Sequence, residues 1–291
     1  MAELQTRAVH VTTAFGTLAA SVIAPSGAAA DTPPVVVWPS VLSTARVQAA
    51  LVEELAHDAV VVAVDPPGHG ASRIDDADAL SMAACARATW DLLDEAFGSA
   101  AGRGVRWVGT SWGGLVGLEA ARAQPQRISH LACLNTPFAF EPPRAWRPAW
   151  LPLLGRLVGT TPLFAAMTAR TFFLRTTRRD EARAQAMAAH RETFTGGDRR
   201  QLAGALRLLF VRRHDLRALL ATTTVATLVV AGRHDGTYPV ADQRRAAERN
   251  PLATFAVVDS AHIAAVDATA AVVSRLREAW ADGGSAHGTG P

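Results

Sequence analysis

The chain has 291 residues, 49% of them hydrophobic and 19% charged, with a formal net charge of +3. That length buries a large core, as one α/β domain or as a core with an insertion, and the composition excludes a disordered chain. All 29 basic residues are Arg, which rules out a Schiff-base lysine, a P-loop lysine and a Ser–Lys dyad.

At the N-terminus, Ala8–Thr12 and Leu18–Ile23 flank a turn at Phe15-Gly16 and read as a β-hairpin. The rival reading is a short signal peptide ending at Ala28-Ala29-Ala30. Gly16, Thr17 and Ser21 interrupt its apolar stretch and only Arg7 precedes it, so the hairpin and a cytoplasmic location are expected, with secretion as the alternative. No apolar run reaches the ~18 residues that cross a bilayer, and no basic strip interleaved with aromatics marks a nucleic-acid groove.

Beyond the hairpin, strand and helix signals alternate, as in a parallel sheet covered on both faces. Val35–Trp38 is a short apolar strand stopped by Pro39, and helical periodicity runs from about Thr44 to His57. Val60–Val64 is a second strand, closed by the turn-rich Asp65-Pro66-Pro67-Gly68-His69-Gly70. A helix from about Leu80 to Phe97, a strand over Val105–Val108, a helix over Trp112–Ala123 and a strand over Ile128–Leu134 follow. Cys85 and Cys133 lack metal-ligand spacing and are read as reduced and buried.

From Thr136 to Ala221 no convincing strand is legible, only helical patterns and Pro-rich connections. This stretch holds 15 Arg against 6 acidic residues, and 7 of the 10 Phe. It reads as a helical lid inserted in a core formed by residues 1–135 and 222–282. Alternation resumes with a strand over Val225–Ala231, a helix over Val240–Arg249, a strand over Thr254–Val258 and a last helix to about Trp280. Residues 283–291 read as a frayed tail.

Val105-Arg106-Trp107-Val108-Gly109-Thr110-Ser111-Trp112-Gly113-Gly114 carries most of the chemical information. It runs strand, Gly-x-Ser-x-Gly, helix. A Ser at the apex of such a turn is strained and exposed for attack, and the flanking glycines avoid clashes in the tight bend. The Trp112 N–H and the helix N-terminus then face a developing oxyanion. The bland reading is a Gly/Ser turn of no chemical use. A dinucleotide-binding turn is disfavoured, because Ser111 stands where its second Gly belongs.

In these residues the chain resembles the α/β-hydrolase superfamily, over nearly its whole length outside the lid. The resemblance implies a mostly parallel central sheet with helices on both faces, an N-terminal antiparallel hairpin and a helical lid. It also implies the order nucleophile, acid, His. Asp235, in Gly232-Arg233-His234-Asp235-Gly236-Thr237-Tyr238-Pro239, matches the family's Gly-x-x-Asp-x-x-x-Pro acid pattern. The alternative acid position after the fourth parallel strand carries Asn135 and Thr136, and the bland reading makes Asp235 a turn initiator. His262, just beyond the last strand, matches the family's base, although eight other His compete.

Relatives carry His-Gly after the first parallel strand, followed by an oxyanion-hole amide; this chain has Trp38-Pro39-Ser40. Proline has no N–H, so Ser40 is the expected donor with Val41 as alternative. Asp65–Ser72 resembles a structural Asp-x-x-Gly-x-Gly-x-Ser loop of the same superfamily.

The implied activity is hydrolysis of a carboxylic ester, lactone or related acyl bond of a small to medium, partly apolar substrate. Ser111, Asp235 and His262 would act through an acyl-enzyme, with no cofactor and no metal. Trp38, Val41, Phe138 and Phe140 are candidates for the pocket wall. The same residues would serve acyltransfer, perhydrolysis or C–C hydrolysis, and a ligand-binding receptor on this fold is the reading from another class. The Arg excess of the lid is read as a solvated face, with attraction of an anionic substrate as the alternative.

Overall fold

A computed structural model describes residues 3–29, 32–98, 104–140, 160–174, 180–210 and 214–282. Strands β1 (Leu4–Thr13) and β2 (Gly16–Pro25) form the expected hairpin, longer than its apolar pattern suggests and turning at Ala14-Phe15. Next come β3 (Val35–Trp38), a 3₁₀ turn with α1 (Ala49–Ala56), β4 (Val61–Asp65) and a two-residue β5 (Arg73–Ile74). Helix α2 (Met82–Phe97), β6 (Val105–Thr110), α3 (Trp112–Ala123) and β7 (Ile128–Leu134) complete the first half.

The stretch after β7 differs from its expectation in one respect. Helices α4 (Pro162–Phe172), α5 (Glu181–Thr195) and α6 (Arg199–Phe210) are there, but so are β8 (Ala139–Phe140) and β9 (His214–Asp215). These two-residue strands pair antiparallel and bring the two ends of the segment together. Two residues have no alternation to read, so only the partner makes them strands. Helix α7 (Arg217–Thr222), β10 (Ala226–Gly232), α8 (Val240–Ala247) and β11 (Ala253–Val258) follow. The last helix is split, into α9 (Ala264–Asp267) and α10 (Thr269–Asp282), because Ala268 leaves the helical region at φ −140°, ψ 40°.

One sheet runs β1-β2-β4-β3-β6-β7-β10-β11, with β5 on the end of β2. Pairs from β4 to β11 are parallel, whereas β1–β2, β2–β4 and β2–β5 are antiparallel. The parallel strands are apolar on both faces, and their period of two sorts the core. Val36, Val62, Trp107, Leu131 and Val229 pack beneath α2 and α3. Val35, Val37, Val61, Val108, Leu134 and Val230 pack against α1 and α10. Both Cys are free and buried, and burial pushes both thiols up, that of Cys133 to about 12. Among the described residues no helix is long and apolar enough to cross a membrane.

From β3 the chain steps to β4 on one side, then crosses to β6 on the other. The loops leaving β3 and β6 therefore diverge at the carboxyl edge, and between such diverging loops open parallel sheets form their ligand crevice. Ser40 and Ser111 stand on those two loops.

Candidate active site

Ser111 has φ 53° and ψ −105°, one of three non-glycine residues with positive φ among those described. Its N–H donates to the Leu134 carbonyl at 2.7 Å, which ties the bend to the neighbouring strand. A Cβ on Gly109 would overlap the Gly113 carbonyl, and one on Gly113 would overlap the Trp38 carbonyl. Both glycines thus belong to one close approach, of β6 to α3 and of α3 to β3. The strained Ser conformation persists because the surroundings leave no other.

The Ser111 Oγ lies 3.0 Å from His262 Nε2, across 151 positions of sequence. On the other side of the ring, Nδ1 lies 3.1 Å and 3.0 Å from the two Asp235 carboxylate oxygens. An ionised carboxylate only accepts, so Nδ1 carries the proton and Nε2 is left to accept from the Ser hydroxyl. All three residues are buried, Ser111 at 6%, Asp235 at 9% and His262 at 2% exposure.

Burial works to raise the Asp235 carboxyl pKa, but the bonds from His262, the Thr237 amide and Asn135, with the attraction of the imidazole, outweigh it and hold it below its ordinary value. Asp235 Oδ1 accepts from Thr237 N at 2.8 Å and Tyr238 N at 3.2 Å. Asn135 Nδ2 donates to Asp235 Oδ2 and to the Ala261 carbonyl, both at 3.1 Å, while Asn135 Oδ1 accepts from Ala264 N at 3.3 Å. One amide thus fixes the carboxylate and the His loop to each other.

The loop after β3 is held from the Asp65–Ser72 turn. His69 Nε2 accepts from the Leu42 N–H at 3.0 Å, so its Nδ1 carries the proton and donates to the Pro67 carbonyl at 3.1 Å. Burial lowers the His69 pKa to about 4, which keeps the ring neutral and able to accept. Leu42 sits at φ 61°, another enforced bend. As first residue of α3, Trp112 has an N–H without an acceptor inside its own helix. Ser40 is fully buried, and its Oγ has no partner among the described residues.

The expected residues Ser111, Asp235 and His262 are brought together, and the loops of Ser40 and Trp112 flank them. Of the expected wall residues, Trp38 is fully buried, its indole N–H donating to Thr89 Oγ1 at 3.1 Å and its ring edge-on to Trp112 at 5.3 Å. It packs the sheet to α2. Val41 and Phe138 are buried as well; the Phe140 side chain, Trp146 and Trp150 lie outside the described residues. Phe164, Phe173 and Phe194 are core residues of the 136–221 segment, with Phe164 and Phe194 edge to face at 5.6 Å. Phe172 instead lies against His262, ring centroids 5.3 Å apart.

Sequence reasoning missed Asn135 and His69 as partners of the site, and also Asp267, whose Oδ2 accepts from the N–H of Ala261 beside His262 at 3.0 Å. Asn135 was visible as the occupant of the alternative acid position and His69 as part of a recognised turn; nothing local distinguishes Asp267.

The family model described as alpha/beta hydrolase fold matches residues 33–269. The pimeloyl-[acyl-carrier protein] methyl ester esterase of Xanthomonas campestris pv. campestris (strain B100) is 33% identical over 226 residues, 72% of this chain and 80% of that protein. Among solved structures, a thermophilic esterase from Thermogutta terrifontis superposes with a TM-score of 0.78 at 21% identity, covering 95% of this chain and 99% of that one. The enol-lactonase from Burkholderia xenovorans LB400 gives 0.78 at 21% identity, covering 94% and 99%. The chain belongs to the alpha/beta hydrolase fold family.

Proposed function

We propose that this protein is a serine hydrolase that cleaves carboxylic esters or lactones through an acyl-enzyme. The observation that carries the proposal is the continuous line of contacts from Ser111 Oγ through His262 to Asp235. A free Ser hydroxyl is a weak nucleophile at neutral pH, and this line supplies the base and its orienting carboxylate. The esterase and lactonase names of its relatives support the ester bond as target.

In the proposed reaction the substrate carbonyl sits in the crevice with its oxygen towards the Ser40 and Trp112 amides. As Ser111 Oγ bonds to the carbonyl carbon, its proton passes to His262 Nε2. Asp235 stabilises the imidazolium, and the two amides stabilise the oxyanion. Collapse breaks the bond to the leaving oxygen, which takes the proton from Nε2 and departs as an alcohol. Water repeats the sequence on the acyl-enzyme and releases the acid. Residues 136–221 are proposed as a lid over this end of the sheet, and the contact of Phe172 with His262 supports that role. The Xanthomonas relative is named for a methyl ester on a carrier-bound acyl chain, so methyl esters of medium-length acyl chains are the first substrate class to try.

A fluorophosphonate probe tests the reading directly. Stoichiometric adduct on Ser111, absent in Ser111→Ala, together with turnover of p-nitrophenyl or methyl esters, is the expected result. Folded protein that takes up no probe and turns over no ester would leave a ligand-binding role instead.

A further inference from the structure

Asp267 lies five positions beyond His262 in the chain, and its side chain is completely buried. Its carboxylate is filled by donors from two parts of the molecule. Oδ2 accepts from the Ala261 N–H at 3.0 Å and from the Leu174 N–H at 2.8 Å. Oδ1 accepts from Arg183 Nη1 at 2.6 Å, and Arg183 Nη2 donates to the Leu174 carbonyl. Arg183 is itself mostly buried, at 15% side-chain exposure. On the far side of the base, the Ile263 N–H donates to the Phe172 carbonyl at 3.1 Å. Both residues flanking His262 thus have their amides tied off, one to Asp267 and the other to the backbone at the end of α4.

We infer that Arg183, Asp267 and the 172–174 backbone are positioning groups for His262, so that the docked lid is part of what aims the base at Ser111. The inference rests on the proposed serine-hydrolase reading. Asn135 grips the His loop from the core through Ala261 and Ala264; the lid grips it through Phe172 and, by way of Asp267, through Leu174 and Arg183. The 3.0 Å contact of His262 Nε2 with Ser111 Oγ spans two elements far apart in sequence, and small displacements of a base cost much rate. Neutralising either partner leaves the other buried and unpaired, so the loop must relax away from this arrangement.

The test compares Arg183→Met, Arg183→Lys and Asp267→Asn with the parent protein. It uses kcat and KM for a p-nitrophenyl ester and the rate of fluorophosphonate labelling, each expressed per titrated Ser111. The expected result is a fall in kcat and labelling rate of about 10- to 100-fold in R183M and D267N, KM changing little. R183K, which keeps a cation for Asp267, recovers most of the rate. A merely structural role would lower the melting temperature and the titrated fraction while leaving the rate per site intact, and that outcome overturns the inference. Should D267N not fold, the contrast between R183M and R183K decides. Failure of the parent protein to be labelled would remove the Ser111 reading itself, a distinct result.

Discussion

Asn135 is the residue on which the site's internal geometry turns. It occupies the carboxyl end of β7 at φ 49°, a conformation that Asn tolerates better than most side chains. Both N–H donors of its amide are used, to Asp235 and to the Ala261 carbonyl, and its oxygen accepts from Ala264. Removing it frees both the carboxylate and the His loop, and Asn135 itself is fully buried. Asn135→Ala is therefore expected to lower kcat by about 10-fold or more, with KM nearly unchanged. Asn135→Gly, which relieves the positive φ but lacks the amide, should lose as much activity while losing less stability than Asn135→Ala. Equal kcat in all three proteins, by ester turnover beside thermal melts, would deny Asn135 this role. Ser111 was legible from its Gly-x-Ser-x-Gly turn, and Asp235 and His262 from the chain order and loop positions that the family resemblance implies. Asn135 was legible only as a non-acid, since a hydrogen-bond partner 100 positions away leaves no local trace.

At the scale of elements, strands and helices of the core followed from apolar period and from turn residues, with ends displaced by a few residues. What escaped were β5, β8 and β9, two residues each, and the break at Ala268 that divides α9 from α10. Each of the three strands is defined by a partner elsewhere rather than by its own pattern, and the break by the torsion of Ala268. Helix α5 carries a further element-level consequence. His190 is buried between the Phe173 and Phe194 rings, at 5.1 Å and 4.9 Å, with Nε2 3.0 Å from Thr168 Oγ1. Burial lowers its pKa to about 4, as it does for His69. Between pH 6.5 and 4 the unfolded chain binds protons at these two rings that the folded chain does not. Their stabilisation is therefore complete above pH 6.5 and declines as the pH falls towards 4. His190→Phe, which fills the same aromatic cage, should flatten this dependence by one proton, about 1.4 kcal/mol per pH unit. Denaturant melts at pH 4.5, 5.5 and 6.5 measure the slope. An unchanged slope would mean that His190 accepts its proton inside the fold.

For the molecule as a whole, the parallel sheet followed from strand–helix alternation, whereas the strand order, with its crossover at β3, is seen only in the fold. Charge is distributed less evenly than apolar residues, because the 136–221 segment carries 15 Arg against 6 acidic residues. A field of that sign would draw anionic substrates to the crevice if the guanidinium groups were unengaged. Several are engaged instead. Arg183 holds Asp267, Arg207 meets Asp78 across the seam with the core, and Arg217 forks onto Asp215. On the core side, Arg46 reaches Glu192. Paired charges project little field beyond a Debye length, about 8 Å at physiological ionic strength. Two p-nitrophenyl esters of equal chain length, one ending in a methyl and one in a carboxylate, separate the possibilities. The ratio of their kcat/KM values should change by less than about 3-fold between 20 mM and 500 mM salt. A carboxylate preference that is strong at low salt and collapses at high salt would instead mark the arginines of the 136–221 segment as a funnel for anions, and the paired-surface account would be wrong.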